Sequence, residues 1–205
     1  MTLTLALLLL AAYLGGSVPT GVWLTRRRGV DPRDIGSGNI GATNVARAAG
    51  PAFGLLTLAG DAVKGLLPVL IAAWLGIGPS GRAAVGLAAF VGHLFPIFLG
   101  FQGGKGVATS FGVILGLAPL GIGLALPVFL LTVGLSGYVS LGSLLAAAVT
   151  PMALIVLGYP LPTDLAAGLM GLGIAIRHRD NIRRMRFGTE SQLGSRSSSP
   201  DSDYA

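Results

Sequence analysis

The chain is 205 residues long, 52% hydrophobic and only 11% charged, with 33 glycines and no cysteine. A soluble domain carries about 25% charged residues, so a mean hydropathy of +0.76 marks an all-α integral membrane protein. The missing cysteines exclude disulfides and thiolate chemistry, and His93 and His178, the two histidines, are too few for a metal cluster. Fourteen Lys and Arg against eight Asp and Glu resemble a nucleic-acid signature by charge alone. In a membrane chain the excess is better read as loop charge that sets topology.

Thr2 to Leu24 forms an apolar run long enough to cross a bilayer. It has no basic start, and Arg26, Arg27 and Arg28 follow it, so it reads as a first span rather than a secretory signal. Its N-terminus is expected outside and the arginines inside. Next comes a polar, glycine-dense loop, Gly36-Ser37-Gly38-Asn39-Ile40-Gly41-Ala42-Thr43-Asn44-Val45-Ala46-Arg47. Its glycines let the backbone turn tightly and bring N–H groups toward a ligand. Ser37, Asn39, Thr43 and Asn44 add neutral hydrogen-bonding groups, and Arg47 adds a planar cationic fork suited to phosphate.

A second span is expected from about Ala52 to Leu75. It contains Asp61 and Lys64, three residues apart and able to pair on one helix face. Charges at that depth are costly and face a polar interior, either lining a site or locking the packing. A third span runs from about Arg82 to Phe101 and carries His93. It leads into Phe101-Gln102-Gly103-Gly104-Lys105-Gly106-Val107-Ala108-Thr109, which reads as a phosphate-binding turn entering a helix N-terminus. The spacing before Lys105 does not fit a Walker A motif.

Val107 to Leu135 would extend about 43 Å as one helix, too long for one upright span and short for two. Further spans lie at about 139–158 and 163–176. Five arginines fall between residues 25 and 49, and six more follow from Arg177 onward. Positive loops collect on the cytoplasmic side, so both groups belong inside and the span count must be odd. That divides 107–135 near Ala118-Pro119, where proline stops a helix, and gives seven spans. Tyr138, Ser140 and Ser143 then fall on the same side as the two loops. So does Arg177-His178-Arg179-Asp180-Asn181, where His178 and Asn181 share a face if the helix continues. Arg179, Arg183, Arg184 and Arg186 read as contacts to anionic lipid. Residues 1–190 make the membrane domain, and 191–205 a disordered cytoplasmic tail rich in Ser, Asp and Pro.

Taken in order, GSGNIGATNVAR, DAVKG, GHLFPIFLGFQGGKGVAT, YVSLGS and RHRDNIRRMRFGTE resemble the PlsY family, the bacterial membrane glycerol-3-phosphate acyltransferases that use acyl phosphate. The resemblance covers about residues 3–190. It implies acyl transfer from acyl phosphate to the 1-hydroxyl of glycerol 3-phosphate, the first acylation of phospholipid synthesis, giving lysophosphatidic acid and phosphate. It also implies seven spans in the bacterial inner membrane with the site facing the cytoplasm. Family roles fall on Ser37 and Arg47, on Gly103, Gly104, Gly106 and Lys105, and on His178 and Asn181. Gln102 departs from the pattern, because many members have a cation there.

The inventory suits two phosphorylated substrates, with Arg47, Lys64, Lys105 and Arg177 as cations and Ser140 as a further polar contact. His93, His178, Asn181 and Lys105 are the expected catalytic group. Acyl phosphate is an activated mixed anhydride, so no cofactor, metal or protein nucleophile is expected. The glycerol hydroxyl would attack directly, its proton passing to a substrate phosphate or to a histidine. A monomer in contact with membrane lipid, and with no nucleic-acid partner, is expected. A transporter for a phosphorylated solute is the competing class. Its short, almost uncharged outer loops and the lack of an inverted repeat argue against it.

Overall fold

The computed structural model describes residues 2–194, which fold as helices joined by turns and loops. In chain order these are α1 (Leu3–Gly16), α2 (Thr20–Arg26), α3 (Ala42–Ala49), α4 (Pro51–Trp74) and α5 (Pro79–Leu94). A 3-10 turn at Ile97–Leu99 follows, then α6 (Val107–Leu117), α7 (Pro119–Ser136), α8 (Val139–Val156), α9 (Leu161–Arg177) and α10 (Arg179–Arg186). Proline punctuates the chain. Pro51, Pro79 and Pro119 each open a helix, where the missing N–H costs nothing.

The polarity of the bundle is inverted relative to a soluble protein. Leu55, Leu67 and Trp74 on α4, Leu131 and Leu135 on α7, and Leu165 and Leu169 on α9 face outward. The buried polar set includes Ser17, Thr57, Asp61, His93, Thr109, Ser143 and His178. Close packing of small residues holds the interior together. A side chain at Gly112 on α6 would overlap the Ala62 carbonyl of α4, so these two helices meet backbone to backbone. The largest apolar cluster joins Val69 of α4, Phe90 and Leu94 of α5, Val113 and Ile114 of α6, Leu154 of α8 and Met170 and Ile174 of α9.

By length and composition, α4, α5 with its 3-10 extension, α7 and α8 can each cross a membrane. The pair α1 and α2, bent by 45°, makes a fifth if it is one span. The expected division of 107–135 falls at Ala118, whose φ of −154° and ψ of 71° end α6 before Pro119. At 11 residues, α6 reaches only about 16 Å.

Three expectations need correction. The first span is not one continuous helix to Leu24: it breaks at Ser17–Pro19, because proline disfavours helical backbone in the residue before it. The third is not one continuous helix to Phe101: α5 stops at Leu94, where Pro96 forces the break, and a 3-10 turn carries the span on to Leu99. The helix carrying Arg177 does not continue to Asn181: it is interrupted at His178, with φ −97° and ψ 6°. Of the expected tail, residues 195–205 lie outside the described residues. Leu193 N–H donates to the Gly137 carbonyl at 2.7 Å, so the chain after α10 returns to the α7–α8 turn.

Candidate active site

The first glycine loop is built around one side chain. Asn44, near the start of α3, is buried. Its amide nitrogen donates to the carbonyls of Pro32 (2.7 Å), Asn39 (2.9 Å) and Ile35 (3.0 Å). Its oxygen accepts the Ser37 N–H at 3.0 Å. Gly36, at φ 60°, brings the backbone so close that a Cβ would lie 2.6 Å from that oxygen. Asn44 therefore has no donor left for a ligand. Its work is to curl residues 32–39 into a rigid rim, which corrects its expected place among the substrate contacts. Asn44→Asp keeps the acceptor and loses the donors. We expect faster proteolysis within residues 31–41 and at least about tenfold lower activity, with helical content by circular dichroism unchanged, since each stranded carbonyl costs about 1–3 kcal/mol.

The second loop is held from behind by Arg177. Its guanidinium donates through Nε to the Gly104 carbonyl at 3.0 Å and through Nη2 to the Gly103 carbonyl. The Gly104 N–H donates to the His93 carbonyl at 3.2 Å. A Cβ on Gly104 would overlap the His93 imidazole, so the ring forms the floor beneath this loop. Gly106 takes φ 82° and caps α6. Beyond it the first-turn N–H groups of α6 have no intrahelical acceptor, as at any helix start.

Between the loops lies a cleft of about 390 Å³ lined by Arg33, Ser37, Gly38, Asn39, Ile40, Phe101, Gln102, Gly103 and Arg177. Ser37, Asn39, Gly103 and Arg177 were expected there. Arg33 and Phe101 were not, and Arg33 is clamped by Asp31 through its Nε at 3.0 Å. Thr43 is half-buried and Arg47 exposed, both on α3. Arg47 is close enough for its charge to act on Lys105.

Beside the cleft a second polar group gathers from the second loop, α8, α10 and the segment after α10. Lys105 Nζ donates to Asn181 Oδ1 at 2.5 Å, and Asn181 Nδ2 donates to Glu190 Oε1 at 2.6 Å. Arg184 Nε donates to Glu190 Oε2 at 2.7 Å. Burial pushes the Glu190 carboxyl up, but hydrogen bonds from Asn181, Ser140 and Arg184 outweigh it and leave the group below its ordinary range. Burial, reinforced by the charges of Arg184, Arg47 and Arg177 and opposed by Glu190, lowers Lys105 to about 8. His178 is buried, and its Nδ1 lies 2.8 Å from the Ile174 carbonyl. That contact fixes a proton on Nδ1 and leaves Nε2 as an acceptor. Burial and the Lys105 charge bring this histidine to about 4, so it is neutral at pH 7.

Glu190 escaped the sequence reading, although it closes the last of the family-like segments. Arg184, expected against lipid, is instead the Glu190 partner. Lys64 and His93 lie elsewhere. Lys64 Nζ pairs with Asp61 at 2.8 Å and donates to the Val18 carbonyl at 2.9 Å. His93 is 3% exposed behind the second loop. Neither lines the cleft.

The architecture is that of a helical membrane protein whose two glycine loops frame a cleft with arginines in both walls. Residues 6–188 match the sequence model of the glycerol-3-phosphate acyltransferase family. The glycerol-3-phosphate acyltransferase of Geobacter sulfurreducens is 50% identical over 183 residues, 89% of this chain and 94% of that protein. Two crystal structures of PlsY, an integral membrane glycerol 3-phosphate acyltransferase, also match. The glycerol 3-phosphate form superposes with TM-score 0.90 at 41% identity, and the lysophosphatidic acid form with 0.87 at 40%. Each covers 93% of this chain and 96% of the PlsY chain. The chain belongs to the glycerol-3-phosphate acyltransferase family, PlsY.

Proposed function

We propose that this protein transfers the acyl group of acyl phosphate to the 1-hydroxyl of glycerol 3-phosphate, releasing phosphate and lysophosphatidic acid. The observation that carries this reading is Arg177, which braces the second loop and lines the cleft that the first loop closes. Two such walls suit two phosphate-bearing substrates. Ser37, Asn39, Arg33, Arg47 and Arg177 would hold phosphate, with Lys105, His178 and Asn181 at the reacting end.

The hydroxyl oxygen forms the ester bond to the acyl carbon, and the bond from that carbon to the phosphate oxygen breaks. Phosphate leaves with the electron pair and takes the hydroxyl proton. Catalysis comes from positioning the two substrates and from stabilising charge on the carbonyl and leaving group.

The deciding experiment gives purified protein in detergent glycerol 3-phosphate with acyl phosphate, acyl-CoA or acyl-carrier protein. We expect phosphate release and lysophosphatidic acid with acyl phosphate alone. Turnover with a thioester donor but not with acyl phosphate overturns the donor assignment.

The same reading places seven spans in the bacterial plasma membrane, with an external N-terminus and the cleft facing the cytoplasm. It counts the bent α1–α2 pair as one span and adds α6 and α9 to the longer helices. A reporter fused after Gly158 should then register outside, and one after Phe187 in the cytoplasm. A cytoplasmic signal at Gly158 removes the division at Pro119 from the topology.

A further inference from the structure

Asp61 and Lys64 stand one turn apart on α4, with side chains only 4% and 9% exposed, and neither lines the cleft. Their partners show what they connect. Lys64 Nζ reaches Asp61 Oδ1 at 2.8 Å and donates to the Val18 carbonyl at 2.9 Å. Val18 occupies the break between α1 and α2, where Pro19 has interrupted the helical hydrogen-bond ladder. Beyond the break, α2 packs through Gly21 against the carbonyl of Ile40, at the end of the first loop.

On the other side of the pair, Asp61 Oδ1 lies 3.8 Å from His93 Nδ1, too far for a hydrogen bond but within reach of an electrostatic contact. His93 supports the second loop twice. Its carbonyl accepts the Gly104 N–H, and its imidazole packs beneath the Gly104 Cα. One turn of α4 therefore touches the hinge that carries the first loop and the floor that carries the second.

We propose that Asp61 and Lys64 are positioning residues that set the spacing between the two walls of the cleft, rather than a substrate contact or a simple packing lock. This rests on the acyl-transfer reading only for its kinetic test. Substrates bound to separately intact loops still bind when the loops are misplaced, but the reacting atoms no longer meet. A misplacement of about 1 Å can cost about 10²-fold in rate.

The decisive variant is the double substitution Asp61→Asn/Lys64→Met, which leaves no uncompensated charge in the bundle. We expect kcat to fall about 10²-fold, with KM for both substrates within about threefold of the parent. Parent-like kcat, or a KM rise above tenfold with kcat unchanged, overturns the proposal. Should the double variant fail to fold, Lys64→Arg keeps the charge with altered reach and decides the matter. There we expect about tenfold lower kcat at unchanged KM, and parent-like kcat overturns the proposal.

A readout independent of activity separates this idea from the function itself. The chain has no cysteine, so spin labels at Ile35→Cys and Phe98→Cys, both exposed positions, report the distance between the walls. We expect the distribution to shift or broaden in whichever of the two variants folds. An unchanged distribution overturns the positioning role even if the enzyme proves fully active on acyl phosphate. A shifted distribution in a protein inactive on acyl phosphate leaves the positioning role standing and rejects the donor instead.

Discussion

Lys105→Met should lower kcat/KM by about 10²–10³-fold, the range seen when one preorganised donor to developing charge is removed. Lys105 sits in the second loop with its ammonium on Asn181 at 2.5 Å, beside the carboxylate of Glu190 held by the same asparagine. Burial, together with the charges of Arg184, Arg47 and Arg177, brings it down to about 8 against the opposing pull of Glu190. At pH 7 the group is mostly protonated in the free enzyme and carries the charge that phosphate needs. Raising the pH through about 8 removes that proton, so kcat/KM should decline there. A bound phosphate dianion favours the charged form, so the corresponding limb in kcat should lie at higher pH.

Lys105→Arg gives the complementary result. Arginine keeps its proton at any accessible pH, so the alkaline limb should vanish while part of the activity remains. A profile unchanged in Lys105→Arg, or a loss below tenfold in Lys105→Met, would take this lysine out of the reacting end.

The helices were legible because their boundaries are written locally. Pro51, Pro79 and Pro119 begin α4, α5 and α7 close to where residue patterns alone place them. The two glycine loops were equally visible, since glycine and polar residues stand out in an apolar chain. What a polar side chain points at was not. Asn44 looks like a ligand contact by composition, yet its amide closes on four groups of its own loop. Lys64 looks like a phosphate cation, yet beside Asp61 its partner is a carbonyl 46 residues away. That carbonyl sits where Pro19 breaks a helix that reads as continuous, and it also accepts the Thr20 N–H at 3.0 Å. Membership of the cleft is a tertiary property, so Arg33 gave no local signal and Phe101 read only as the start of the second loop. Glu190 becomes meaningful only once the chain after α10 folds back and meets Asn181 and Arg184.

His178→Gln tests whether the reaction uses a protein base at all. General-base catalysis supplies about 10²–10⁴-fold, and its loss falls on kcat. The geometry favours a different role. Nδ1 contacts the Ile174 carbonyl at 2.8 Å, which fixes the tautomer and leaves Nε2 as a hydrogen-bond acceptor. Burial and the neighbouring Lys105 charge bring the imidazole to about 4, and a group that acidic in its protonated form is a weak base at pH 7. In the proposed acyl-phosphate reaction, the departing phosphate is the better proton acceptor. Under the proposed reaction, His178 would accept a hydrogen bond and hold the glycerol hydroxyl in line. Glutamine can partly replace an acceptor, so His178→Gln should raise KM for glycerol 3-phosphate about tenfold with kcat within a few-fold. His178→Ala, which also abandons the Ile174 carbonyl, should cost about 10²-fold in kcat/KM, consistent with about 1–3 kcal/mol for an unpaired buried group. Between pH 5 and 7 the His178→Gln rate profile should match the parent, because no group titrating there has been removed. A His178→Gln enzyme with parent-like KM and a thousandfold lower kcat would overturn the positional mechanism and make His178 the base.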